Sequence, residues 1–305
     1  MKNILLVLII VSIELLAQNV KVLDNIPLTS ISEGRFSNPS LNPDGTLLLF
    51  TGENYQGLWY KSLFEWKLEN ITKEPGAGYD AAFSDNNQLV FRENKFIHGK
   101  KYSSLNSYNF TSKKSVRLDD NIRDLRIYKN YENKADIYFK NSQIEFVSTQ
   151  SSLSKNSSNE IYVYTEDSKI VLNENNQKRY LEPLGKGFYL WLSLSPDKSK
   201  LLFTFAGKGT YVTDLEGNIL NKIGYANYPS WSKDGNWILF MKDLDDGEKI
   251  IKSNIYVANL NTGKYYKLTD ADDDISLYPT WGRNNTEIFY NSIEGQIRVI
   301  KLKID

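Results

Sequence analysis

One short phrase recurs along this chain, and its recurrence limits the possible folds more than any bulk property does. Asn38-Pro39-Ser40-Leu41-Asn42-Pro43-Asp44-Gly45 precedes an apolar run ending at Phe50. Tyr228-Pro229-Ser230-Trp231-Ser232-Lys233-Asp234-Gly235 precedes Trp237-Ile238-Leu239-Phe240. Tyr278-Pro279-Thr280-Trp281-Gly282-Arg283-Asn284-Asn285 precedes Ile288-Phe289-Tyr290. Two weaker copies are Ala81-Ala82-Phe83-Ser84-Asp85-Asn86, leading to Phe91, and Leu192-Ser193-Leu194-Ser195-Pro196-Asp197, leading to Phe203. Short alternating strands repeated at such a period specify a propeller or a solenoid.

The central apolar residue of each copy serves as an anchor: Leu41, Phe83, Leu194, Trp231 and Trp281, spaced 42, 111, 37 and 50 residues apart. The long interval has room for one hidden copy, centred on Ile127. The remaining excess length is assigned to Ser148 to Asn159, a Ser/Asn-rich stretch that reads as a mobile insertion. Six units are therefore expected.

Within the clearest unit, Pro229 to Ser232 reads as an inner strand and Lys233-Asp234-Gly235-Asn236 as a turn. Trp237 to Lys242, Asn254 to Leu260 and Lys264 to Leu268 read as three further strands. Tandem antiparallel hairpins of this kind form propeller blades and exclude a parallel sheet, which needs crossover helices. The expected fold is all-β: a six-bladed β-propeller of four-stranded antiparallel blades. Trp231 and Trp281 are expected to fill the space between blades. The last unit lacks a fourth strand, and Asn19 to Ile26, with Val20 and Val22 alternating with polar residues, is expected to supply it and seal the ring.

The first 17 residues differ in kind. Lys2 precedes an apolar run from Ile4 to Ile13, broken by Ser12, and Ala17-Gln18 offers a small-residue cleavage point. The run is shorter than the roughly 20 residues that span a bilayer, so residues 1–17 read as a secretory signal peptide. An uncleaved interfacial anchor is the alternative. Residues 18–305 then form a single propeller domain. The chain has no cysteine, so neither disulfides nor a lipidated N-terminal Cys are expected. A soluble bacterial protein, periplasmic or secreted, fits these features. Lys plus Arg and Asp plus Glu both number 37, so no global field draws the chain to nucleic acid or to a membrane surface.

The phrase at 228–240, with its continuation Ser253-Asn254-Ile255-Tyr256-Val257-Ala258-Asn259-Leu260 and Lys267-Leu268-Thr269, resembles the WD-like propeller repeat of the TolB type. The resemblance extends over most of residues 36–303 and is faintest from about 100 to 180. It implies a six-bladed periplasmic module that binds envelope proteins, such as a peptidoglycan-associated lipoprotein. The separate N-terminal domain of TolB is not expected here, since only residues 18–37 lie between the leader and the first repeat. Similar repeats form the gating propeller of prolyl-oligopeptidase-like peptidases, but no hydrolase domain is read here.

His98 is the single histidine, and no Ser stands in a Gly-x-Ser-x-Gly turn, so a hydrolytic triad is not expected. One His without Cys does not make a zinc site. Asp270, Asp272, Asp273 and Asp274 offer oxygen ligands of the kind calcium takes, yet read as a solvated inter-blade loop. Asp243-x-Asp245-Asp246-Gly247 departs from an EF-hand loop and reads as a hairpin turn. No catalytic residue, metal or cofactor is expected.

Three positions before each anchor stand Asn38, Asp80, Trp191, Tyr228 and Tyr278, with Asp124 before Ile127. Loops entering the inner strands place such residues at the mouth of the central funnel, where aromatic and polar side chains grip a peptide or stack on a sugar. The expected function is that of a monomeric, non-enzymatic propeller binding an envelope protein or peptide through this face. A carbohydrate-binding or carbohydrate-active propeller is the alternative.

Overall fold

A computed structural model describes residues 19–304 except 66, 130–134, 136, 142, 147–160 and 176. Its strands form seven separate antiparallel sheets arranged as blades. Blade 1 comprises Ser37–Leu41, Leu47–Thr51, Leu58–Ser62 and Leu68–Thr72. Blade 2 comprises Ala82–Phe83, Gln88–Ile97, Lys100–Asn109 and Lys114–Ile122. Blades 3 and 4 show three strands each: Leu125–Ile127, Ile137–Lys140 and Gln143–Phe146, then Ile161–Glu166, Lys169–Glu174 and Gln177–Leu181. Blade 5 contains Tyr189–Leu194, Lys200–Phe205, Gly209–Asp214 and Ile219–Gly224. Blade 6 contains Asn227–Trp231, Trp237–Asp245, Ile250–Asn259 and Tyr265–Lys267. Blade 7 joins Ser276–Trp281, Glu287–Ser292 and Ile297–Ile304 to the N-terminal strand Val20–Pro27.

The fold is the expected propeller, with seven blades in place of six. The additional one is blade 4, in the stretch the repeat spacing leaves empty. Its first hairpin turns on Asp167-Ser168, both left-handed at φ 48° and 62°, with Glu166 opposite Lys169. The described strands of this blade, within residues 161–181, contain no copy of the repeated phrase, so the spacing of that phrase does not count it. The insertion expected at Ser148 to Asn159 lies outside the described residues.

Side-chain hydrogen bonds explain the phrase itself. Ser232 Oγ accepts the Trp237 amide at 2.9 Å and donates to Asp234 Oδ1 at 2.5 Å. Asn42 plays the same part in blade 1, its Oδ1 accepting the amides of Thr46 and Leu47 at 2.8 Å each. In blade 5 Ser195 Oγ accepts the Lys200 amide at 2.9 Å and donates to Asp197. These polar residues satisfy turn amides that strand pairing leaves open.

Hydroxyl donors from Ser195 and then Ser199 hold the Asp197 carboxyl down at about 2. A depressed carboxylate pKa contributes stability above its unfolded value, near 4, and loses it as pH falls toward 2. Asp197→Asn is therefore expected to be less stable than wild type at neutral pH. The gap should narrow between about pH 4 and pH 2; thermal melts of both proteins across that range check it, and a constant gap refutes it.

The core lies between blades, in seven buried clusters that each join two neighbours. Leu49 and Leu58 of blade 1 meet Phe83 and Phe91 of blade 2, and Ile122 meets Leu125 at the next seam. Ile137 and Phe139 of blade 3 meet Tyr164 and Val171 of blade 4, whose Val163 and Ile170 face Leu201 and Phe203 of blade 5. Trp231 is buried against Leu202 and Val212 of blade 5. Trp281 is half-buried on the seam between blades 6 and 7, its indole N–H donating to the Ser230 carbonyl at 3.3 Å. The seventh seam joins Phe289 and Val299 of blade 7 to Leu48 and Phe50 of blade 1 and completes the circle.

Closure is made by the N-terminal strand as expected. Val20 pairs with Ile304 and Ile26 with Val299, so the last strand of blade 7 has no bare edge. No helix among the described residues is long and apolar enough to cross a membrane.

Candidate functional site

Inner strands enter the ring at one end, the mouth, and the loops between second and third strands return to that same end. In blades 1, 5, 6 and 7 the pairing of inner and second strands slips, between Ser37 and Ser40, Leu190 and Ser193, Asn227 and Ser230, and Leu277 and Thr280. An extra residue inserted this way makes a β-bulge, which bends the strand and re-aims a side chain. Pro39, Pro229 and Pro279 sit inside these bulges, where no ladder donor is required.

Five of the six residues expected at the mouth share one backbone geometry. Asn38, Asp80, Trp191, Tyr228 and Tyr278 are all left-handed, at φ 53°, 58°, 48°, 51° and 51°. Asn and Asp adopt this conformation readily, but for Trp and Tyr it is strained by roughly 1–2 kcal/mol per residue. Strain of this kind persists where the surrounding structure enforces it, and it concentrates at binding and catalytic sites. All five line a central opening of about 620 Å³.

Asp124 does not join them. Its backbone is not left-handed, and blade 3 pairs without a slip, Leu125 to Lys140 and Ile127 to Tyr138. Its amide and carbonyl instead hold Asn141, and its half-exposed carboxylate lies 3.5 Å from Arg126. Arg126 and Lys129 face the opening in its place.

One wall of the opening is aromatic. Trp191 and Tyr228 stand 5.1 Å apart between ring centroids, and Tyr228 meets Tyr278 edge-on at 4.7 Å. Tyr55, on the 3₁₀ turn Glu53–Tyr55 between the second and third strands of blade 1, packs edge-on against Tyr79 at 5.2 Å. Burial, followed by the neighbouring Tyr55, pushes the Tyr228 phenol well above its ordinary range, and burial also raises Tyr278. These hydroxyls stay neutral donors at physiological pH.

The other wall is charged. Asp80 accepts from Arg92 at 3.1 Å, and the Arg92 guanidinium lies 4.7 Å over the Tyr79 ring. Arg92 is only 4% exposed, and its Nε finds no partner among the described residues. Burial raises the Asp80 carboxyl against the pull of Lys129, Arg92 and Arg126, and burial lowers Lys129 against the pull of Asp80. Neither Arg92 nor Lys129 carries any repeat signature in the sequence, and Tyr55 lies in a loop whose reach only the folded ring defines.

The other candidates fall where the sequence puts them. His98 is the left-handed first residue of a two-residue turn, between Ile97 and Lys100. Asp245 and Asp246 cap the hairpin of blade 6. Asp270 pairs with Lys267 at 3.0 Å and Asp272 with Lys252 at 3.1 Å. Among the described residues no group of side chains has the make-up of a metal site.

The architecture makes this chain a β-propeller. The β-propeller domain of Myceliophteria thermophila Cps50 (Swd1) is similar at a TM-score of 0.59 and 9% identity, over 93% of this chain and 99% of that one. An oligogalacturonate lyase from Vibrio parahaemolyticus aligns at 0.47 and 12% identity, over 90% of this chain and 79% of that one. TolB from Acinetobacter baumannii aligns at 0.35 and 14% identity, over 87% of this chain and 54% of that one. No family model matches the sequence, and no curated protein matches it.

Proposed function

We propose that this propeller is an exported binding module of the bacterial envelope, TolB-like in role, which takes a protein or peptide segment at its funnel mouth. The observation that carries the proposal is the set of five left-handed residues lining one opening, Trp191, Tyr228 and Tyr278 strained among them. A fold maintained by packing alone has no need to hold Trp and Tyr in left-handed backbone at the end of the ring away from its repeated turns. Large apolar side chains also stand exposed around the same end: Phe188 at 72%, Phe96 at 68%, Leu244 at 58% and Tyr225 at 54%. Exposed apolar side chains collected on one face are a feature of protein-binding surfaces. The leader-like first 17 residues and the TolB-type phrase motivate the envelope location.

Pull-down from bacterial envelope extracts, comparing wild type with Tyr228→Ala/Tyr278→Ala, tests the reading. Recovery of the specific partner is expected to fall about tenfold or more with the double variant, in line with aromatic anchors at interface centres. Equal recovery of every partner rejects the funnel face.

A carbohydrate ligand is a second reading, motivated by the continuous Trp191–Tyr228–Tyr278 wall, since aromatic faces accept sugar rings. Glycan binding that the same double variant abolishes, with no protein recovered, moves the assignment there.

A further inference from the structure

The charges lining the opening do not balance. Among the described residues they are Asp80, Arg126 and Lys129. Behind them Arg92 is buried against Asp80, so the one inward carboxylate is already engaged. Asp124, the remaining carboxylate nearby, is turned outward and spends itself on Arg126. Among the described residues three cations thus face two carboxylates, an excess of one positive charge at the opening. An uncompensated buried charge is unfavourable, and a negative partner offsets it more strongly there than in bulk water.

We infer that the funnel seats an acidic side chain or terminal carboxylate of a peptide segment, bound by Lys129 and Arg126 while its neighbouring residue packs on the Tyr278–Tyr228–Trp191 wall. This deepens the proposed binding function and rests on it. Arg92 is a positioning residue in this arrangement: it ties down Asp80, so that an incoming anion meets Lys129 with Arg126 beside it. The exposed apolar side chains at the same end favour a peptide over an acidic glycan, because a polysaccharide has no apolar side chains to cover them.

The test is an array of short random-sequence peptides probed with the purified full chain, beside an array of neutral and carboxylated oligosaccharides. Peptides captured by wild type are expected to be enriched in Asp and Glu, and raising the salt concentration should weaken their capture. Lys129→Gln/Arg126→Gln should lower capture of acidic peptides about tenfold, the equivalent of 1.4 kcal/mol, without changing the melting temperature by more than a few degrees. Lys129→Glu/Arg126→Glu should shift the enrichment toward Lys and Arg. Capture with no acidic bias, or bias unchanged in the reversed variant, overturns the charge assignment while leaving the funnel reading in place. Capture of carboxylated oligosaccharides alone overturns the peptide assignment. No capture on either array, or capture unaffected by Tyr228→Ala/Tyr278→Ala, overturns both.

Discussion

Deletion of Val20–Pro27 is expected to unfold or polymerise this protein. That strand is the fourth of blade 7, and it contributes Val20 and Ile26 to the seams on either side of the blade. Without it the strand Ile297–Ile304 presents a row of unpaired amides and carbonyls, a template for pairing with another copy. The seam between blades 7 and 1 also loses part of its apolar cover, and a ring opened at one seam loses the mutual support of the other six. The loss should approach the whole ~5–15 kcal/mol that holds a domain together. Sedimentation and thermal melts of the deletion variant check it. A monomer with an unchanged melting temperature shows that the N-terminal strand is dispensable.

Trp237→Ala is expected to have the largest effect of any single core substitution. Trp237 is 2% exposed and is the largest of the fully buried side chains. It packs in the seam between blades 6 and 7 with Leu239, Val257 and Ile288, its ring 5.9 Å from Tyr266. Truncating such a residue removes its transfer free energy and leaves a cavity, about 3–5 kcal/mol in total. For a protein of this length that corresponds to a fall in melting temperature of roughly 10 °C. Trp281→Ala, at a half-buried position on the same seam, should have the smaller effect. Equal losses at the two positions would show that burial does not rank them.

Turn chemistry decided how many blades were legible. Where Ser, Asn and Asp side chains hold the turn after the inner strand, as at Ser232 and Asp234, the blade announces itself by residue type. The described strands of blade 4 carry no such turn phrase, and the alternation Ile161 to Thr165 followed by Ile170-Val171-Leu172 is their trace in the sequence. That pattern also suits an isolated hairpin, so the count of six fell one short. The candidate site divides along the same line. Asn38, Asp80, Trp191, Tyr228 and Tyr278 follow from a fixed offset, because a left-handed residue three positions before each anchor turns the same position inward. Asp124 obeys the offset on paper, but it lacks the left-handed backbone that the other five share. Arg92, Lys129 and Tyr55 obey no offset: Lys129 and Tyr55 line the opening from beyond the end of an inner strand and from a loop, and Arg92 stands behind it on a second strand.

By itself the amino-acid sequence determined that this chain is a propeller in which the five copies of the repeated phrase each place an inward residue before the anchor and whose ring closes through its N-terminal strand. Those features are local, written in turns, alternation and the spacing between repeats. Tertiary structure alone decided that there are seven blades, and that Asp80, Arg92, Arg126 and Lys129 share one wall opposite Trp191, Tyr228 and Tyr278. Both depend on how blades distant in sequence pack around a common axis, and burial and charge balance there are properties of the closed ring.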